Sequence, residues 1–105
     1  AGLVFGSSKD IKHDKKPSSG NLAKIEAMPV EEWTYNPGEG DGGRHVGPYA
    51  EDFAAATGRG DGKTIDVITA IGVTMGGVKE LSAKVDKLAA MIPRGLPANS
   101  MRAAA

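Results

Sequence analysis

Ser7 and Lys12 are the two residues whose types and spacing offer covalent chemistry. A serine hydroxyl becomes a nucleophile when a base takes its proton, and a lysine amine can be that base once it is neutral. Desolvation and nearby cations such as Lys9, Lys15 and Lys16 favour the neutral amine. By spacing alone, a serine and a lysine in a polar stretch also describe a solvated loop. Other patterns fall short of chemistry. Gly62-Lys63-Thr64 ends like a phosphate-binding loop, but the glycine required five residues earlier is Thr57. Arg59-Gly60-Asp61 spells an adhesion tripeptide of a kind that arises by chance in glycine-rich loops. His13 and His45 lie far apart without a third ligand, so neither a metal nor another cofactor is expected.

The chain that must position this pair has 105 residues, room for one domain. Lysine plus arginine and aspartate plus glutamate number 13 each, which argues against a nucleic-acid binder. There is no cysteine, so disulfides, thiolate metal sites and cysteine nucleophiles are excluded. No apolar run approaches the roughly 18 residues of a membrane span. Residues 1–8 lack the basic-then-apolar order of a signal peptide. Leu, Ile, Val and Phe total 20 residues, and 15 glycines dilute them. So thin a core points to partial disorder or to an oligomer that supplies what is missing. Charge is segregated: residues 1–25 carry five lysines and two aspartates, residues 26–66 nine acids and three bases, and residues 67–105 five bases and two acids. Basic ends around an acidic middle suit complementarity between segments or chains.

The elements are expected to be small and mixed, an α+β chain. Ala1–Gly6 resembles the end of an upstream stalk. Leu22–Met28 forms a short helix capped by Ser19 or Asn21 and stopped by Pro29. Val30–Tyr35 alternates as a strand, with Trp33 and Tyr35 on one side. A loop with four glycines leads to a return strand at Arg44–Val46. Pro48 suits the first position of a helix that carries Glu51 and Asp52 in its first turn and stops at Gly58. Thr64–Ile68 is β-branched and reads as a strand.

The longest element is expected over residues 70–92, with Thr69 as its cap. Ile71, Val78, Val85 and Ile92 are seven apart, and Thr74, Leu81 and Leu88 fall three residues later. This is a heptad seam of about three repeats, compatible with dimers or trimers. The alternative is an amphipathic helix packed on its own domain. Gly72, Gly76 and Gly77 weaken its first half but permit close helix approach. Residues 93–105 read as a flexible tail.

Taken together, several segments resemble the C-terminal intramolecular chaperone of phage tail spikes and fibres, the endosialidase type of self-cleaving serine peptidase. Its pattern opens with Ser, usually followed by Asp or Ser, and a Lys five residues after the first Ser; here it reads Ser7-Ser8-Lys9-Asp10-Ile11-Lys12. A short helix and an aromatic strand follow, as in Leu22–Met28 and Glu32–Tyr35. The segment His-Ile-Gly-Pro-x-Ala-Gln-Asp-Phe appears as His45-Val-Gly-Pro-Tyr-Ala-Glu-Asp-Phe53, with Glu51 where the family commonly has Gln. Lys63-Thr-Ile65 and Ile71-Gly-Val73 then lead into the long helix.

The resemblance implies a domain over residues 7–69 that trimerises through a coiled coil over residues 70–92. It implies folding assistance to an upstream stalk of the same polypeptide, followed by release through cleavage beside Ser7. Ser7 is then the nucleophile and Lys12 its general base, with Ser8, His45 and Glu51 in supporting places. No nucleic acid, membrane or cofactor is involved. The work is done in the bacterial host cytoplasm during assembly, and the parent fibre goes to the virion tail. Two alternatives stand beside it: a trimerising tip that does not cleave, and a host-binding fibre end in which Trp33, Tyr35 and Tyr49 stack on sugars.

Overall fold

The structure is a computed structural model that describes residues 4–93. After a one-turn 3₁₀ helix at Lys9–Ile11 come helix α1 (Asn21–Glu26), strands β1 (Glu31–Thr34) and β2 (Arg44–Gly47), helix α2 (Ala50–Thr57) and helix α3 (Val67–Ala90). The fold is α+β. The two strands form one antiparallel hairpin in which Trp33 faces His45 and Thr34 faces Arg44.

The expected α1 begins one residue earlier and ends at Glu26, and neither Ser19 nor Asn21 caps it through its side chain. Gly20 takes the cap position in a left-handed conformation, and the cap is supplied from another element. The Glu80 carboxylate of α3 accepts the backbone N–H of Asn21 at 2.9 Å and of Leu22 at 3.0 Å. An acidic side chain there satisfies two otherwise unpaired donors and complements the helix dipole. α1 packs along α3 where Gly76 and Gly77 leave room. A Cβ on Gly76 would stand 2.9 Å from Asn21 Cγ, and one on Gly77 would meet the tip of Ile25. Asn21 is 1% exposed and Phe53 of α2 is 2% exposed. Phe53 is the one fully buried large apolar side chain among the described residues.

Four further expectations are corrected. Pro48 does not open α2; the helix starts at Ala50, and Tyr49 is its extended cap residue, with its hydroxyl donating to Glu31 Oε1 at 2.7 Å. Gly58 does end it, left-handed. The strand expected at Thr64–Ile68 does not form. Asp61 Oδ1 accepts the N–H groups of Lys63 and Thr64 and the Thr64 hydroxyl, which curls that segment into a turn. α3 begins at Val67 rather than Ala70, because Asp66 is a stronger cap than Thr69. Asp66 accepts the Ile68 N–H at 3.0 Å and the Thr69 hydroxyl at 2.8 Å. The β-branched Val67 and Ile68 are thus drawn into the first helical turn. At the far end α3 stops at Ala90, so the last expected seam residue, Ile92, lies past the helix. The tail expected at residues 93–105 lies outside the described residues after Pro93.

The chain's own elements cover the face of α3 that carries Gly76, Gly77 and Glu80. The face expected to form a seam is left uncovered within the chain: Ile71, Val78, Leu81, Val85 and Leu88 are 49–63% exposed. The radius of gyration is 18.4 Å, against about 13 Å for a compact chain of this length.

Three predictions concern α3 and its contact with α1. Gly72 has open space around its would-be Cβ. Gly72→Ala should raise stability to denaturant by about 1 kcal/mol through helix propensity. Gly76→Ala should lower stability despite the same propensity gain, because the buried Asn21 must move. Chemical unfolding of the two variants beside the wild type tests both signs. The Glu80 carboxyl is held below its ordinary value of 4.5 by the N–H donors of Leu22 and then Asn21. Its stabilisation is therefore fully present above that value and lost as pH falls through the lowered folded-state value. Stability measured from about pH 5 down to pH 2 should fall less steeply in Glu80→Gln than in the wild type.

Candidate functional site

The one-turn helix at Lys9–Ile11 is built by local bonds. Ser8 is its cap: the Ser8 hydroxyl oxygen accepts the Asp10 N–H at 3.1 Å. The Ser8 carbonyl accepts the Ile11 N–H at 3.3 Å, and the Lys9 carbonyl accepts the Lys12 N–H at 3.2 Å. A Cβ on Gly6 would lie 3.5 Å from Ile11 Cδ1, so the chain entering the turn is folded against it. Across this turn Lys12 Nζ reaches Ser7 Oγ at 2.6 Å. This is a short contact. Both side chains are exposed, and no other secondary element packs on the turn among the described residues.

The arm that follows is exposed as far as Gly20 and bends at Asp14, whose φ is 59°. It is fastened to the body where the Ser18 hydroxyl donates to Asn21 Oδ1 at 3.2 Å. The Ser7–Lys12 pair therefore sits on a short tether from the α1–α3 contact.

His45 and Glu51 stand elsewhere. On one face of the hairpin the rings of Trp33, Tyr35 and His45 pack edge to face or tilted, with centroids 4.9–5.3 Å apart. The Asp41 carboxylate binds His45 Nε2 at 2.9 and 3.0 Å and accepts the Gly43 N–H at 2.8 Å. The His45 bond, then the Gly43 bond, holds the Asp41 carboxyl below its usual range. The loop turns tightly at Gly40, where φ is 53° and a Cβ would collide with the Tyr35 ring. Glu51 is exposed in the first turn of α2. It lines an open groove of about 920 Å³ with Trp33, Tyr35, Tyr49 and Lys63. The neighbouring Glu31 carboxylate pushes the Tyr49 hydroxyl above its ordinary value. Among the described residues no hydrogen bond joins His45 or Glu51 to Ser7 or Lys12.

Sequence reasoning named Ser7, Ser8, Lys12, His45 and Glu51; the structure brings the first three into one turn and places the other two on the hairpin and α2. It missed Asp41, the partner of His45. The signal was a carboxylate four residues before the histidine across a glycine-rich turn. No three His, Asp or Glu side chains converge as metal ligands among the described residues.

The family model described as the chaperone of endosialidase, a peptidase family, matches residues 7–59. No curated protein and no solved structure matches the chain. The matched span opens on Ser7, runs through α1, the hairpin and α2, and closes just after Gly58. Covering half the chain, and opening on the serine that Lys12 contacts, it shows that this chain belongs to the chaperone of endosialidase family.

Proposed function

We propose that this chain is a trimerising intramolecular chaperone that assists folding of an upstream stalk and then cuts itself off beside Ser7. The observation that carries the reading is the 2.6 Å contact between Lys12 Nζ and Ser7 Oγ at the first residue of the family match. Lys12 takes the Ser7 proton, and Oγ adds to an adjacent peptide carbonyl. The C–N bond breaks as the leaving amine takes the proton back, leaving an ester. Water then hydrolyses the ester to a carboxylate and the free hydroxyl. The chain supplies its own scissile bond, so proximity replaces a substrate pocket, and the reaction turns over once.

Trimerisation is supported by the apolar stripe of α3 that the chain itself leaves uncovered. Three parallel helices would bury Ile71, Val78, Leu81, Val85 and Leu88 and supply the core that one chain lacks. They would also bring three stalk ends into register, which helps a fold built of long-range strand pairing. Cleavage then removes the folding aid and leaves the stalk kinetically trapped. The setting is the host cytoplasm during virion assembly.

Two experiments test the two halves. In the natural polypeptide that carries these residues, mass measurement should show two fragments with a new end beside Ser7, and one intact chain for Ser7→Ala. Processing of Ser7→Ala would remove the catalytic assignment, whereas intact chains in both would leave a non-cleaving trimer tip. Separately, sedimentation of the uncleaved Ser7→Ala chain should give a trimer, and Ser7→Ala with Leu81→Asp a monomer. A trimer that survives Leu81→Asp would place the interface somewhere other than the α3 stripe.

A further inference from the structure

We infer that Ser8 is a positioning residue: its hydroxyl caps the one-turn helix that carries Lys12 onto Ser7. This deepens the self-cleavage reading and rests on it. Three observations converge. The Ser8 hydroxyl oxygen accepts the Asp10 N–H at 3.1 Å, so it is engaged with the backbone rather than with Lys12. The two backbone bonds that close the turn, Ile11 N–H to Ser8 and Lys12 N–H to Lys9, are long, at 3.3 and 3.2 Å. No other secondary element supports the turn among the described residues, so its closure depends on bonds within residues 7–12. A short isolated turn is marginal in water, and a side-chain cap is the interaction that most directly favours it. Without the cap the backbone between Ser7 and Lys12 opens. The exposed lysine then samples positions away from Ser7 Oγ, and the contact that proton transfer needs is populated less.

The same geometry separates the two adjacent serines. Ser7 Oγ has Lys12 Nζ as its partner and is the hydroxyl placed to lose a proton, while the Ser8 hydroxyl serves the turn. What position 8 requires is therefore a side-chain oxygen that can accept a backbone N–H, not a hydroxyl as such. Asparagine and aspartate meet that requirement as well as serine; alanine does not.

The experiment compares Ser8→Ala, Ser8→Asn, Ser8→Asp and Ser7→Ala with the wild type in the natural polypeptide. One readout is the rate of appearance of the new end by mass. The other is independent of cleavage: labelling of Ser7 by a serine-reactive fluorophosphonate, located by peptide mass. Ser8→Ala is expected to slow both about fivefold, equivalent to about 1 kcal/mol. Ser8→Asn and Ser8→Asp should stay within about twofold of the wild type, a rescue that a nucleophilic or merely space-filling Ser8 would not show. Wild-type rates in Ser8→Ala would overturn the proposal, as would Asn and Asp variants as slow as Ala. Full processing of Ser7→Ala, or a wild type that neither cleaves nor labels, would instead remove the catalytic reading and the proposal with it.

Discussion

The close approach of α1 to α3 is the constraint on which the rest of this small structure depends. Two glycines in succession, Gly76 and Gly77, strip α3 of side chains where α1 lies against it. Glycines in a helix interior are unfavourable, by about 1 kcal/mol each relative to alanine. They are tolerated because the gap admits Asn21 and Ile25 and lets Glu80 reach the open end of α1. A six-residue helix has little stability of its own. Here its first N–H groups are bound by a carboxylate from the helix it packs on, so docking and capping are one event. The exposed arm holding Ser7 and Lys12 joins the body at that point, which makes the α1–α3 contact the anchor for the candidate site.

With one fully buried large apolar side chain among the described residues and a long helix bearing an uncovered stripe, the core is thin by the measure of ordinary domains. The two features have one explanation. α3 divides its surface: the glycine face receives α1, and the heptad face stays exposed. That the family match ends at Arg59 while the stripe runs along α3 divides the roles in sequence as well. The matched segment carries the serine, the hairpin and α2. The helix beyond it carries the surface through which, under the proposed reading, three copies would assemble.

The legible parts of the sequence were those governed by local chemistry. The hairpin could be read because Trp33 and Tyr35 alternate with polar neighbours and a glycine-rich loop follows. The stop at Gly58 and the acids of the first turn of α2 followed from capping rules. The heptad spacing identified the face of α3 that the chain leaves bare. What failed depended on partners distant in sequence or on competition between local rules. The α1 cap is Glu80, 59 residues from Asn21, and no local pattern announces it. The run Thr64–Ile68 has strand propensity, but Asp61 and Asp66 use the same backbone for a turn and a helix cap. Two carboxylates with well-placed N–H groups outweigh five residues' preference for a strand. In the candidate site the Ser–Lys spacing was visible, whereas the separation of His45 and Glu51 from it was not, because linear motifs carry no distance.

The exposure of Ser7 and Lys12 bears on how such a site would be timed. The 2.6 Å separation of Lys12 Nζ and Ser7 Oγ sets the distance for proton transfer, and a lysine that acts as general base must be neutral to accept. Water disfavours the neutral amine and burial favours it. Among the described residues no secondary element covers the turn. Under the proposed reading, a cover over the turn would favour the neutral amine, so the chemistry would be held back by hydration rather than by distance.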